Sequence, residues 1–146
     1  MLRGGEAPEQ RWARQARHCE IDVDVNRLCG LRVLSWNAQQ VVMLLPFDDW
    51  LWSNMLGSQH IAASYLAELC GTGASLAACV TKDSLVVVST EANYFAPGCT
   101  DLTATGVCIE TGPLRHVSKV RVRDADDRII AEAIVTNAPP GPPSAD

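Results

Sequence analysis

The sequence predicts an α+β domain in which one long helix covers a sheet of about six antiparallel strands. Three observations predict it. A run from Ser58 to about Cys70 is apolar on nearly every helical face. Stretches rich in Val, Ile and Thr lie on both sides of that run, with the period-two alternation of strands. Clusters of Gly, Pro, Asn and Asp separate them.

In chain order, residues 1–20 read as a flexible tail, because Gly4-Gly5, Pro8 and several arginines offer little to bury; a short helix from Glu9 to His18 is the most they suggest. Leu31–Trp36 and Gln39–Leu45 read as two strands joined near Asn37-Ala38 and closed by Pro46. Phe47–Asn54 is a Trp-rich connector too short to assign. The helix from Ser58 reaches Cys70, and Cys79 if Gly71-Thr72-Gly73 does not interrupt it. Four strands follow, Leu85–Phe95, Leu102–Glu110, His116–Arg123 and Arg128–Thr136, with breaks at Pro97-Gly98 and Thr111-Gly112-Pro113. Asp124-Ala125-Asp126-Asp127 suits a hairpin turn, since Asp tolerates turn conformations and bonds its own backbone. In the strand before it Val120 and Val122 face one way and Lys119, Arg121 and Arg123 the other, so that outer face is wet. Residues 138–146, with Pro139-Pro140-Gly141-Pro142-Pro143, read as a disordered tail, leaving residues 21–137 as the ordered domain. One helix shields only part of such a sheet, so the remaining edges and faces call for a second copy of the chain.

Composition removes several function classes. A net charge of −5 argues against a nucleic-acid surface, which needs a basic face. The six cysteines include no Cys-x-x-Cys pair and stand at no zinc spacing to the histidines, so no metal site is expected. Cys70, Cys79 and Cys108 sit inside apolar runs, where a reduced thiol packs as a small hydrophobe. The first residues lack the apolar core of a secretion signal, and Ile61–Val80 is broken by Glu68, Gly71 and Gly73, so no membrane span is expected. A reducing cytoplasm fits these features.

The residue that points to chemistry is Glu68. Ile61, Ala62, Ala63, Tyr65, Leu66, Ala67, Leu69 and Cys70 surround it, and no Lys or Arg shares its helix. An unpaired carboxylate among hydrocarbon costs several kcal/mol or takes up a proton, which makes it a functional-site candidate. His60, Ser64 and Glu68 are spaced i, i+4, i+8, forming one polar stripe on an apolar rod. The N–H groups near Ile61 and Ala62, at the start of the helix, are donors suited to a developing oxyanion. A donor for a carbonyl oxygen and a carboxylate base or nucleophile are the two parts that thioester hydrolysis needs. The bland alternatives remain open: Glu68 paired with an Arg of the sheet, His60 bracing the loop, Asn54 as a turn residue, Ser64 bonded to its own helix. Trp36, Trp50 and Trp52 pack the connector or a dimer seam, or line an acyl pocket.

Asn54-x-x-Gly57-x-x-His60, the helix with Leu66-Ala67-Glu68, the strand ending Asn93-Tyr94-Phe95-Ala96-Pro97 and the corner Pro97-Gly98-x-x-Asp101-Leu102-x-Ala104 together resemble the hotdog-fold thioesterases, the small PaaI-type acyl-CoA thioesterases above all. The resemblance spans roughly Gly30 to Thr136. It implies a hotdog fold, with a curved antiparallel sheet wrapped around the central helix. It further implies a homodimer whose sheets join edge to edge, often paired again into tetramers. Acyl thioesters of coenzyme A or of an acyl carrier protein would bind at the dimer interface, with no cofactor beyond the coenzyme A of the substrate. By motif, Glu68 matches the acid that activates water or attacks the carbonyl, and Asn54 the residue that positions water or substrate. Gly57 and His60 match the turn into the helix. Ile61 and Ser64 stand where substrate would lie. The chain departs from the family in reading His60-Ile61-Ala62 where His-Gly-Gly is usual, and in a His60–Glu68 spacing one residue shorter. A hotdog protein that binds acyl groups without hydrolysing them is therefore the second reading, and a hotdog dehydratase the third.

Overall fold

The computed structural model describes residues 5–54, 59–79 and 84–141. Strands β1 (Arg32–Trp36) and β2 (Val41–Leu45) form a hairpin. Its turn is closed by Asn37, whose Oδ1 accepts the Gln39 and Gln40 amides at 2.9 and 3.1 Å. Helix α3 (Asp49–Asn54) occupies the connector that was too short to assign. It is anchored by Trp52, which is buried and meets Phe47 edge-on at 5.0 Å between ring centroids. Helix α4 (Gln59–Ala78) is the long helix. Strands β3 (Val86–Tyr94), β4 (Leu102–Thr111), β5 (His116–Arg123) and β6 (Ile129–Ala138) complete the chain. All pairings are antiparallel, in the order β1-β2-β4-β5-β6-β3, so β1 and β3 are the sheet's edges.

Helix α4 lies on one face of this sheet, with Ala63, Leu66, Ala67, Cys70 and Ala74 buried against Val41, Met43, Ala104, Val120, Val122 and Val135. This is the layer arrangement that the hotdog resemblance implies. Val120 and Val122 face this core, while Lys119 on the opposite face is exposed.

The helix does not stop at Gly71-Thr72-Gly73. A Cβ on Gly71 would stand 2.6 Å from Val135 Cγ2 and 2.7 Å from Val135 Cβ, and one on Gly73 would stand 2.9 Å from the Trp36 ring. From the sheet side, a Cβ on Gly106 would reach within 3.0 Å of the Cys70 carbonyl oxygen. These glycines are the surfaces across which helix and sheet touch, and packing outweighs their poor helix propensity.

The stretch expected to be a flexible N-terminal tail is helical and docked. Helix α1 (Pro8–Arg17) runs into a π-helical turn (His18–Asp22) and helix α2 (Asp24–Leu28). Arg11 is only 3% exposed; its guanidinium donates to the carbonyl oxygens of Leu76 at 3.1 Å, Ala77 at 3.1 Å and Cys79 at 2.6 Å. Trp12 Nε1 adds a bond to Ala77 O at 2.9 Å. A helix end leaves carbonyls without partners and carries partial negative charge, so a buried cation there is favourable. A cap supplied from a distant segment has no signature in local sequence pattern.

The β5–β6 hairpin turns at Asp124–Asp127 as its composition implies, with Asp127 at φ 64°. The Asp124 carboxylate accepts the Asp126 and Arg128 amides at 3.0 and 2.9 Å and the Arg128 guanidinium at 2.8 Å. Burial alone would raise its pKa, but these bonds and the Arg128 charge outweigh that and hold it below the usual carboxylate range.

Two predictions follow from this packing. Propensity alone would make Gly71→Ala stabilising by about 1 kcal/mol. The stiff Val135 side chain makes it destabilising instead, by about 1–3 kcal/mol, visible as a lower thermal midpoint. A raised midpoint would contradict the close approach. For Asp124 the folded pKa lies below the unfolded one, so the unfolded chain binds more protons between the two. The stabilisation is therefore complete above roughly pH 4 and lost as pH falls through the folded value. Asp124→Asn should lower the midpoint at neutral pH and converge on the wild type in acid; a gap independent of pH would contradict this.

Candidate functional site

Glu68, Leu69, Thr72 and Leu76 lie beside the face of α4 that packs on the sheet, and all four are half-buried. Glu68 lines a cleft of about 250 Å3 with Tyr65, Leu69 and Thr72 of α4 and Val87 of β3. Its apolar neighbours in sequence implied a buried carboxylate. In one copy of the chain it is only half-buried, because its face of the helix looks along the sheet toward the edge strand β3.

Glu68 is the one carboxylate among the residues that line the cleft. The Tyr65 hydroxyl is pushed up to about 12, by burial first and then by charge at Cys19, Cys29 and Glu68, so it stays a neutral donor. That donor is spent on Asn26 Oδ1. Asn26 is itself buried and donates from Nδ2 to the Cys19 carbonyl at 2.9 Å. Thr72 Oγ1 accepts from Asn137 Nδ2 at 3.0 Å. The cleft walls are thus held by hydrogen bonds, while the carboxylate stands at their opening.

The other residues singled out from sequence are placed as follows. Asn54 ends α3, with its side chain outside the described residues, and Gly57 lies outside them altogether. His60 is exposed on the first turn of α4, its ring edge-on to Tyr94 of β3 at 5.1 Å. Ile61 is 51% exposed and Ser64 half-buried. At 1.5 Å of rise per residue, the eight-step offset from His60 to Glu68 separates them by about 12 Å along the helix. The polar stripe does not converge on a single point within one chain.

Thiolate chemistry is disfavoured at the buried cysteines Cys70 and Cys19. Burial pushes the Cys70 thiol up, and Sγ donates to the Val41 carbonyl at 3.3 Å. Burial likewise raises Cys19 to about 12, so neither supplies a thiolate near neutral pH. No group of three or more His, Cys, Asp and Glu among the described residues could hold a metal ion, and none of their helices is long and apolar enough to cross a membrane.

Sequence reasoning missed Tyr65, Leu69, Thr72 and Val87 as cleft residues. The signal for Thr72 was available, since it stands one helical turn beyond Glu68 on the same stripe. Val87 could not be found that way, because its place depends on β3 folding back beside the helix.

Comparison with known proteins agrees with this geometry. The model of the thioesterase superfamily matches residues 59–131, which is half of the chain. Among solved structures, a candidate thioesterase from Syntrophus aciditrophicus superposes with a TM-score of 0.78 at 19% identity, covering 90% of this chain and 97% of that one. The Escherichia coli PaaI protein of the phenylacetic acid degradation operon superposes with a TM-score of 0.76 at 14% identity, covering 92% and 97%. A mutant thioesterase from Pseudomonas aeruginosa gives a TM-score of 0.69 at 24% identity, covering 93% and 95%. At these identities the likeness shows the fold alone. Among curated proteins no sequence match is found. With its six-stranded antiparallel sheet wrapped on one long helix, and with the family model spanning that helix and strands β3 to β5, the chain has the hotdog fold and belongs to the thioesterase superfamily.

Proposed function

We propose that this protein hydrolyses acyl thioesters, carried on coenzyme A or on an acyl carrier protein, at a site completed by a second copy of the chain. The observation that carries the reading is the position of Glu68. It is the charged residue of a largely apolar cleft that reaches the unpaired edge strand β3. That strand exposes Val86, Val87 and Val88, with Phe95 just beyond it. An exposed apolar edge is a template for pairing, and a partner's β3 laid along it would cover the cleft.

Distance supports the second copy. A carbonyl within reach of Glu68 lies about 12 Å from the N-terminal turn of the same helix. The N–H groups near Ile61 that would hold its oxygen must then come from the partner's α4, and those of this chain serve the partner's Glu68. Asn54, at the end of α3, would position water or substrate beside that turn, with Gly57 and His60 shaping the entry and Ser64 lying along it. In the base form of the reaction, Glu68 takes a proton from water as the water oxygen bonds to the thioester carbon. The carbonyl electrons move to an oxyanion, and their return breaks the C–S bond. The thiolate leaves with the proton, and the acid is released. In the nucleophile form a Glu68 oxygen bonds to the carbon and expels the thiolate, and water then cleaves the resulting anhydride. The free thiols of the described cysteines suit a reducing cytoplasm.

The exposed Ile61, in place of the family's glycine, favours a second reading in which acyl groups are bound but not cleaved. One assay separates the two. Glu68→Gln should cut thiol release from acyl-CoA by at least about a hundredfold while thermal midpoint and oligomeric state stay those of the wild type. Release unchanged by the substitution rejects Glu68 as the reacting group. Calorimetric binding by the wild type with no release at all establishes the non-hydrolytic reading.

A further inference from the structure

A second cavity, of about 170 Å3, lies between the N-terminal helical segment and α4, and is lined by Gln15, Val23, Trp36, Leu69, Thr72 and Leu76 among others. Its volume compares with the roughly 150 Å3 of an apolar cavity able to admit benzene. Leu69 and Thr72 line this cavity and the Glu68 cleft alike, so the two share a wall. Thr72 and Leu76 follow Glu68 at i+4 and i+8, which carries the cavity about 6 to 12 Å along α4 from the carboxylate. That is the reach of an acyl chain of roughly four to eight carbons whose thioester sits at Glu68.

Gln15 makes this more than an apolar hole. The residue is 7% exposed, on α1. Its Oε1 accepts the Trp36 indole N–H at 3.1 Å. Because an indole nitrogen only donates, the amide oxygen must face Trp36, and this fixes the orientation of the amide. The NH2 group is then left as a donor, and Nε2 has no hydrogen-bond partner among the described residues. A buried amide donor without a partner forfeits its hydration with nothing in return, and is rare in a native structure. Of the other polar side chains along the cavity, Arg14 pairs with Glu6 at 2.9 Å and His18 with Asp22 at 3.3 Å, while burial keeps the Cys19 thiol protonated.

We infer that this cavity receives the tail of the acyl group and that Gln15 Nε2 donates to an oxygen near the tail's end, so that short aliphatic acyl chains with a distal hydroxyl or carbonyl are the preferred ligands. The assignment rests on the thioester reading for the position of the head group. It adds a specificity-determining residue from a segment that the family model does not cover. The N-terminal helices thereby act as the far wall of the acyl site, held in place by the Arg11 cap on the end of α4.

The test is binding, measured by calorimetry on the Glu68→Gln protein so that hydrolysis does not consume the probes. Hexanoyl-CoA is compared with ω-hydroxyhexanoyl-CoA, and the neighbouring chain lengths are compared in the same pairs. The hydroxylated member should bind about fivefold to tenfold more tightly at the length that reaches Gln15. Gln15→Met, added to the same protein, should erase that difference while leaving the affinity for hexanoyl-CoA within about twofold. Equal affinities for every pair, or a preference that survives Gln15→Met, overturn the assignment. If Gln15→Met does not fold, the probe pairs on the Glu68→Gln protein decide alone. A Gln15-dependent preference, found together with a wild-type protein that releases no thiol from any of these probes, sinks the hydrolytic reading and leaves this one standing.

Discussion

The close approach of α4 to the sheet sets the position of everything else. Gly71, Gly73 and Gly106 leave no room for a side chain between helix and strands, so the helix can neither rotate nor lift without opening a void. That constraint decides which residues are buried and which lie at the margin. Ala63, Leu66, Ala67, Cys70 and Ala74 go inward, and Glu68, Leu69, Thr72 and Leu76 are left along one side. A carboxylate in a cleft is therefore a consequence of how tightly its neighbours pack. The Arg11 guanidinium fixes the other end of the same rod by taking three of its terminal carbonyls.

Much of this was legible in the sequence, and the reasons for the exceptions are physical. The strand His116–Arg123 announces itself over its second half, where buried Val120 and Val122 alternate with exposed Lys119 and half-buried Arg121 and Arg123. The Asp124–Asp127 turn is equally local. Gly71 and Gly73 were ambiguous: isolated from the sheet they read as helix breakers, and only the position of Val135 and Trp36 shows them to be contact points. A short helix from Glu9 to His18 was legible and matches α1, but its docking was not, because its partners are the carbonyls of a helix end more than sixty residues away.

The site was half legible. Glu68 stands out from composition alone, since charge in an apolar run is costly wherever it occurs. Its degree of burial could not be read, because a helix apolar all round does not reveal which side faces the edge of a sheet. Asn54 and Gly57 were named through resemblance, and the structure describes neither side chain environment. Tyr65 read as an apolar neighbour, yet its hydroxyl braces Asn26 and through it the turn at Cys19. Gln15 fell in a stretch read as a tail, where no pattern marks an amide as buried.

The central claim is that one chain supplies the carboxylate and the other the oxyanion donors. Subunit complementation tests it most directly. Glu68→Gln removes the first part, and Ile61→Pro removes a backbone N–H in the first turn of α4, where proline is tolerated. Each variant alone should be inactive. Refolded together they form mixed dimers in which one of the two sites is intact, so thiol release should return to on the order of a quarter of the wild-type rate. Mixed dimers that form yet stay as inactive as their parents would contradict a site shared between two copies.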